Sequence, residues 1–345
     1  MKSISVADSF VVRVSGEENS SSLANIIEEL HYDVVDDSVK LPTVGNIMYD
    51  SYLSFPLGAI ELRKGILYEY NDYLIIYDKN NLLRIHADKT QFEILVSDRA
   101  NKQILFYTVE ILIRYYAPLY GLTFLHAGGF IMDGKTNVIC AFGGVGKTEV
   151  TLYALEKGAK FLADDFAIIN SNGDVFPYMK KIFLCDFPYT DTMLHKVGKR
   201  KWLFNIKQRC EQGKSKILGR IASWLESNYL EAYIDYTLIQ KVETARRFYH
   251  IDHFYWVDSG MDTCRCEISS QQFIDKMTLC LDLESRRYFD YDGYLRFKYP
   301  FLNQHKALQY SLISKVATTL SIEGVMVKGR HFDDLSQLII SLNNQ

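Results

Sequence analysis

The fold is decided by the stretch NVICAFGGVGKTEVTLYALEKGAKFLADD, residues 137–165. It begins with an apolar run typical of a buried strand, and a glycine-rich loop follows. The next residues have the pattern of a helix, which Gly158 ends in the position that favours glycine. A second apolar run, AKFLA, then leads to Asp164 and Asp165. This order of strand, glycine loop, helix and strand predicts an α/β unit that holds a phosphate group.

The loop itself, Ala141–Thr148, reads AFGGVGKT and fits the P-loop (Walker A) pattern, with Ala in the first position. Glycines lack a Cβ, so backbone N–H groups can turn inward around an anion, and the following helix N-terminus adds positive potential. Lys147 offers a positive charge to the phosphates, and the hydroxyl of Thr148 is a ligand for Mg²⁺. The alternative is an ordinary glycine turn, which would not need Lys-Thr directly after it. We therefore expect the nucleotide-binding residues to be Gly143, Gly144, Val145, Gly146, Lys147, Thr148 and Glu149.

Two adjacent aspartates end the second strand, and Asp164 follows Lys147 by 17 residues. Neighbouring side chains of a strand point to opposite faces, so both carboxylates can share one site only where the strand ends, as it does here. One carboxylate can then accept a proton from a substrate hydroxyl while the other contacts Mg²⁺. A solvated turn is the other interpretation, because Asp is common in turns. The position beside the P-loop favours the functional pair.

Three segments together resemble a known catalytic core: HAG at 126–128, GGVGKTE at 143–149 and KGAKFLADD at 157–165. They are similar to bacterial HPr kinase/phosphorylase and its relatives, whose nucleotide core is shared with phosphoenolpyruvate carboxykinase, and the match covers about residues 125–178. The resemblance implies that Lys147 and the loop hold phosphates and that Thr148 and Asp165 bind Mg²⁺. It also implies that Asp164 deprotonates the acceptor hydroxyl and that His126 lies near the transferring phosphate. Without the resemblance, a single histidine is more often structural.

The rest of the chain predicts two regions. Residues 20–32 predict a short helix, and from about 44 to 104 short apolar runs alternate with turns, which is typical of an antiparallel meander. Residues 104–120, 190–247 and those after 268 have mainly helical patterns. We expect an α/β fold with an HPr-kinase/phosphoenolpyruvate-carboxykinase-like P-loop core. A β-rich N-terminal region would cover residues 1–120, and the catalytic domain, with a helical C-terminal portion, would cover residues 121–345.

Composition excludes several classes of function. The formal net charge of −3 gives no bulk attraction to nucleic acid or to an anionic membrane. The most apolar helical stretch, residues 105–125, contains Glu110 and Arg114 and is a poor membrane span. The N-terminal sequence lacks the apolar segment of a signal peptide, and the six cysteines show no zinc-binding spacing. We therefore expect a cytoplasmic protein with reduced thiols and with no nucleic-acid or membrane partner.

These features predict a Mg-ATP-dependent kinase that transfers the γ-phosphate to a hydroxyl. The resemblance implies ATP rather than GTP. It also implies that the acceptor is serine in a peptide or small protein, because the family includes kinases that modify lasso-peptide precursors. HPr itself is not implied, since the chain lacks the Pro- and Arg-containing C-terminal segment of true HPr kinase/phosphorylases. The alternatives are a small-molecule kinase, a carboxykinase-like activity, and a nucleotide-binding regulatory protein without turnover. Homo-oligomerisation stays open.

Overall fold

The protein has a mixed α/β architecture, with four sheets and five α-helices among the residues described here. The computed structural model describes residues 2–16, 33–35, 40–78, 81–97, 102–180, 182–183, 221, 233–234, 244–288 and 291–328. The helix predicted over 20–32 and nearly all of the helical region predicted over 190–247 lie outside these residues. Within the described ranges, no helix combines the length and the apolar character that a bilayer crossing requires.

The N-terminal region folds into a nine-stranded sheet. Its strands are β1 (Lys2–Val6), β2 (Phe10–Ser15), β3 (Asp33–Val35), β4 (Thr43–Tyr49), β5 (Ile60–Arg63), β6 (Leu67–Tyr70), β7 (Tyr73–Asp78), β8 (Asn81–Ala87) and β9 (Phe92–Val96). Alternate residues of β9 are buried because successive side chains of a strand point to opposite faces of the sheet. The predicted meander is present as β5 to β9, whose consecutive members pair antiparallel. The prediction misses that β4 is parallel to both of its neighbours, β2 and β9.

A buried helix connects this sheet to the rest of the chain. Helix α1 (Lys102–Tyr116) continues into a 3-10 helix (Ala117–Tyr120), and the chain leaves through Gly121, whose φ of 72° is in the left-handed region. Apolar side chains at helical spacing are buried along α1, and so are Glu110 and Arg114. A helix buried on most of its faces must pair its charged side chains, and the two lie one turn apart.

The remaining strands form two further sheets and a short pair. They are β10 (Leu122–Leu125), β11 (Ala127–Met132), β12 (Lys135–Ala141), β13 (Lys160–Ala163), β14 (Ala167–Asn170), β15 (Asp174–Phe176), β16 (Ile182–Phe183), β17 (Tyr233–Ile234), β18 (Tyr249–His250), β19 (His253–Gly260), β20 (Cys264–Cys266) and β21 (Ile322–Lys328). The order is β13-β11-β12-β19-β21-β20 in the six-stranded sheet and β10-β14-β15-β18 in the four-stranded sheet. Strand β21 lies in a segment that the sequence predicts to be helical. It is a strand because its apolar residues pair in parallel with β19.

The direction of two strands fixes the position of the site. Strand β11 pairs antiparallel with both β12 and β13, so β12 and β13 run in the same direction and end at the same edge of the sheet. The P-loop follows the end of β12, and the two aspartates follow the end of β13. The turn between β11 and β12 is an Asp-Gly hairpin turn, with φ of 51° at Asp133 and 81° at Gly134.

The other helices are α2 (Lys147–Glu156), α3 (Ser270–Tyr288), α4 (Asp292–Lys298) and α5 (Leu302–Thr319). One hydrophobic cluster runs from the nine-stranded sheet through α1 to α3 and α5. Tyr299, between α4 and α5, inserts its hydroxyl into the edge of that cluster and hydrogen-bonds the backbone of β7 and β8. The core is therefore continuous across residue 120, and the division of the chain into domains at that residue stays a prediction.

Candidate active site

The P-loop connects β12 to α2 through a left-handed backbone. Gly144 and Gly146 have φ of 79° and 108°, values that strain any residue with a Cβ. Gly146 is the N-cap residue of α2, and no side chain caps the helix there. The backbone N–H groups of the first turn of α2 are thus free of a side-chain cap and could donate hydrogen bonds to an anion in the loop. The backbone of the loop is thus compatible with an anion at the start of α2.

Strand β11 holds α2 against the sheet at close range. A Cβ added at Gly128 would lie 2.6 Å from Thr151 Oγ1 and 3.4 Å from the carbonyl oxygen of Lys147. Thr151 in turn donates a 3.0 Å hydrogen bond to that same carbonyl. Glycine at position 128 therefore lets the first turn of α2 pack directly on the strand, which fixes the position of the loop.

The ammonium of Lys147 is buried within the loop. Its Nζ donates to the carbonyl oxygens of Ala141 and Phe142 at 2.9 and 3.1 Å. Burial lowers the pKa of Lys147, while Cys280, Asp165 and Asp164 act in the opposite direction. The lysine thus stabilises the conformation of the loop and places a positive charge near both aspartates.

Thr148 and Asp164 are in direct contact. Thr148 Oγ1 donates a 2.9 Å hydrogen bond to Asp164 Oδ1, so the hydroxyl of the P-loop meets the carboxylate at the end of β13. Asp164 is buried, and burial followed by repulsion from Asp165 raises the pKa of its carboxyl from 3.8 to about 7. Mg²⁺ is usually held by one or two carboxylates together with waters and phosphate oxygens. Thr148 and Asp164 supply such a partial ligand set and fit that ion.

Asp165 points in a different direction from Asp164. Its φ of 73° turns the chain sharply, and Phe166 N donates to Asp164 O across the turn at 2.9 Å. The carboxylate of Asp165 lies 3.6 Å from His126 Nε2 and 3.8 Å from Lys180 Nζ. Its side chain is 27% exposed. The resemblance implies the base for Asp164 and the metal for Asp165. In the structure Asp164 contacts Thr148, and Asp165 is partly exposed.

His126 lies where the chain passes from one sheet to another. The sequence predicts a single strand over LTFLHAGGFIM, but the structure breaks it at His126, because β10 pairs with β14 and β11 pairs with β12. The buried imidazole contacts Cys280 Sγ through Nδ1 at 3.0 Å and faces Asp165 through Nε2. Burial and the nearby Lys147 lower the pKa of His126, which favours a neutral ring.

The predicted site residues separate into two groups. His126, Lys147, Thr148, Asp164 and Asp165 converge at one edge of the six-stranded sheet. The remaining five lie on the loop or in the first turn of α2: Gly143 and Gly144 are exposed, Val145 is half-buried, and Gly146 and Glu149 are buried. Glu149 has no exposed surface, so its carboxylate is less accessible to a ligand than the Thr148 hydroxyl.

Sequence reasoning missed three contacts of this site. Cys280 on α3 contacts His126 and lies 3.6 Å from the Ala141 carbonyl oxygen, but a cysteine on an apolar helix face looks like an ordinary core residue. Lys180 is buried beside Asp165, whereas a lysine that follows a short strand is usually solvated. Glu110 binds Lys180 from α1. The one available signal was a Glu and an Arg one turn apart in an otherwise apolar helix.

Comparisons of the sequence with known protein families and with curated proteins find no match. Within the described residues, no group of three or more His, Cys, Asp or Glu side chains could hold a metal ion by itself.

Proposed function

We propose that the protein is a Mg-ATP-dependent phosphotransferase that transfers the γ-phosphate to a hydroxyl, with serine of a peptide or small protein as the acceptor. The observation that carries the proposal is the Thr148–Asp164 hydrogen bond, with Asp165 turned towards a separate, partly exposed position. A phosphate-binding turn alone would not need two adjacent carboxylates in two different environments. Phosphoryl transfer needs one carboxylate on the metal side and one at the acceptor.

The loop binds the donor phosphates in this proposal. The N–H groups at the start of α2 and the ammonium of Lys147 face the phosphate oxygens, with Lys147 exchanging the carbonyls of Ala141 and Phe142 for them. When bound, Mg²⁺ neutralises the charge that develops on the phosphate oxygens. Thr148 and Asp164 hold it from the protein side, because their oxygens are already adjacent.

Asp165 is the proton acceptor in this proposal. Its carboxylate is the more exposed of the two and can reach a hydroxyl group of a substrate, whereas Asp164 is buried behind Thr148. The proton of the acceptor hydroxyl moves to a carboxylate oxygen of Asp165 as that hydroxyl oxygen attacks the γ-phosphorus. The bond from the γ-phosphorus to the bridging oxygen breaks at the same time, and ADP leaves with that oxygen. The neutral ring of His126 stands beside Asp165, where it limits the rotation of that carboxylate. This exchanges the roles that the sequence-based prediction gave to the two aspartates.

Labelled ATP tests the proposal. The protein is incubated with Mg²⁺ and γ-labelled ATP in an extract of peptides, small proteins and metabolites from its source, beside Lys147→Ala and Asp165→Asn variants. We expect label on serine of a polypeptide with the wild type, and none with either variant. Mass spectrometry then identifies the acceptor.

The other outcomes separate the alternatives. Label on a metabolite would replace the peptide acceptor with a small molecule and keep the phosphotransferase. Nucleotide binding with no release of the γ-phosphate would contradict the proposal and favour a regulatory nucleotide-binding protein. Equal transfer by wild type and Asp165→Asn would contradict the assignment of the base.

A further inference from the structure

Lys180 reaches the site because of a backbone return. After β15 the chain comes back beside the end of β13, where Tyr178 N donates a 2.8 Å hydrogen bond to Leu162 O and Ala163 forms a parallel bridge with Tyr178. The aspartates follow Ala163 directly. Lys180, two residues beyond Tyr178, is therefore brought within 3.8 Å of the carboxylate of Asp165.

The ammonium of Lys180 is held in a specific position. Its Nζ lies 2.8 Å from Glu110 Oε1 and 3.8 Å from Asp165 Oδ2, and its side chain is 10% exposed. Three aromatic rings surround it, with centroids 5.3 Å (Phe106), 5.7 Å (Phe166) and 5.4 Å (Tyr178) from Nζ. Aromatic faces attract a cation and keep water away from it. The ammonium is thus poised between a buried carboxylate and the carboxylate at the site.

Glu110 is the anchor of this arrangement. It is fully buried, and its Oε1 also lies 3.3 Å from Tyr178 Oη and 3.4 Å from Arg114 Nη2. A buried carboxylate is stable only when it is paired and hydrogen-bonded. The guanidinium of Arg114 stacks over the Phe166 ring, 3.8 Å from its centroid, which fixes the second cation of the group.

Asp165 adds a second carboxylate to this group. Arg114 and Lys180 carry two positive charges, and Glu110 carries one negative charge. The carboxylate of Asp165 is the second negative charge, and it is the more exposed of the two carboxylates, at 27% against 0% for Glu110. Lys180 is thus shared between a structural carboxylate and the proposed proton acceptor.

We propose that Lys180 is a positioning residue that holds the carboxylate of Asp165 in its reactive orientation, and that Glu110 keeps Lys180 in place. The inference rests on the proposed function, in which Asp165 accepts the proton of the acceptor hydroxyl. It also gives the N-terminal region a part in the reaction, because Glu110 lies on α1, within residues 1–120.

Steady-state kinetics of four full-length variants test this inference: Lys180→Met, Lys180→Arg, Glu110→Gln and the double variant Glu110→Gln/Lys180→Met. Methionine keeps the apolar stem among the three rings, and Glu110 keeps Arg114 as a partner, so Lys180→Met is expected to fold. We expect kcat to fall about 10- to 100-fold in Lys180→Met, because a displaced reactive group costs rates of that order. The KM for ATP and the Kd of the nucleotide should stay unchanged. Lys180→Arg should recover most of the loss, since it restores the cation.

The Glu110 variant examines the anchor. Glu110→Gln should lower kcat in the same way, and the double variant should be no slower than Lys180→Met, because both substitutions act through one ammonium. Lys298→Met is the matched control. Lys298 also pairs with a carboxylate, Glu69, at 2.5 Å, but it lies on α4 at the nine-stranded sheet. This control should keep the wild-type kcat.

Three other outcomes would overturn either this inference alone or the proposed function together with it. Wild-type kcat in Lys180→Met, with Asp165→Asn inactive, would overturn this inference and leave the proposed function standing. A parallel loss of kcat, nucleotide affinity and thermal stability in Lys180→Met, without recovery by Lys180→Arg, would show a merely structural ion pair and also overturn it. A wild-type protein that transfers no phosphate would overturn the proposed function, and this inference with it.

Discussion

Thr148 and Asp164 lie 16 residues apart in the chain and are joined by a 2.9 Å hydrogen bond between their side chains. This bond ties the first turn of α2 to the end of β13. Because Asp164 is buried while Asp165 beside it is partly exposed, two chemically identical residues occupy different environments. That difference underlies the predictions for the site.

Lys147→Ala should weaken nucleotide binding. The substitution removes the one side-chain cation that the loop directs into its own turn, where charge-assisted hydrogen bonds to phosphate are worth about 10- to 100-fold in affinity. Isothermal titration with Mg²⁺ and a non-hydrolysable ATP analogue measures the effect. Lys157→Ala, at the exposed C-terminal end of the same helix, is the matched control. Equal affinities of the two variants would contradict a phosphate-binding role for Lys147.

Asp164→Asn and Asp165→Asn should fail at different steps. Asp164→Asn should lose the Mg²⁺-dependent part of nucleotide affinity, because the carboxylate beside Thr148 is gone. Asp165→Asn should keep that affinity and lose phosphoryl transfer by about 10²- to 10⁴-fold, the usual contribution of a general base. Binding measured with and without Mg²⁺, together with single-turnover transfer, distinguishes the variants. The opposite pattern would restore the assignment that the family resemblance implies.

Asp164→Asn should also stabilise the metal-free protein at higher pH. The pKa of Asp164 is raised to about 7, chiefly by burial and then by Asp165. The folded protein therefore keeps this proton at pH values where the unfolded chain has lost it, so this group lowers the free energy of unfolding as pH rises from about 4 to 7. Asparagine lacks this titration. The difference in melting temperature, variant minus wild type, should therefore be larger at about pH 8 than at about pH 5 when both proteins are measured with a chelator.

The matched substitution for this pH measurement is Asp262→Asn, because the side chain of Asp262 is 83% exposed. Its difference from the wild type should be the same at both pH values. A constant difference for Asp164→Asn as well would show that the carboxyl of Asp164 titrates normally in the folded protein.

Tyr299→Phe should destabilise the protein by about 1–3 kcal/mol, the cost of leaving buried polar groups without a partner. The hydroxyl lies 2.6 Å from Ile85 O and 2.8 Å from Asp72 O, and it accepts a hydrogen bond from Leu74 N at 3.3 Å. Urea denaturation measures the change. Tyr249→Phe removes an exposed hydrogen bond to Ala245 O and should cost at most about 0.5 kcal/mol. Equal costs would show that the Tyr299 hydroxyl adds nothing.

The parts of the fold that sequence predicts well are those specified by neighbouring residues. The glycine loop, helix α2 and its end at Gly158, whose φ is 94°, follow from local patterns and are present. The break at His126 could not be predicted, because apolar residues stand on both sides of it and only sheet pairing separates them. Strand β21 was missed for a related reason: its apolar run is extended because it pairs with β19, which is distant in the sequence.

The convergence of the site residues was predictable, and their individual geometry was not. Motif spacing placed Lys147, Thr148 and the two aspartates together. The left-handed turn at Asp165 decides which aspartate contacts Thr148. No pattern in the sequence predicts that backbone conformation. The contact between Glu110 and Lys180 joins residues 70 positions apart, and no local pattern specifies such a pair.

The hydrogen bonds of Tyr299 also bear on the order of events during synthesis. The last strand of the nine-stranded sheet ends at Val96. The hydroxyl that donates to the carbonyl oxygen of Ile85 belongs to Tyr299, which the ribosome adds 214 residues after Ile85. Until then part of the core of that sheet lacks its cover, and its parallel pairings of β4 form slowly because they join distant segments. The nascent chain is consequently exposed to aggregation through most of its translation. Slower elongation or a larger supply of chaperones should raise the yield of folded protein on recombinant expression.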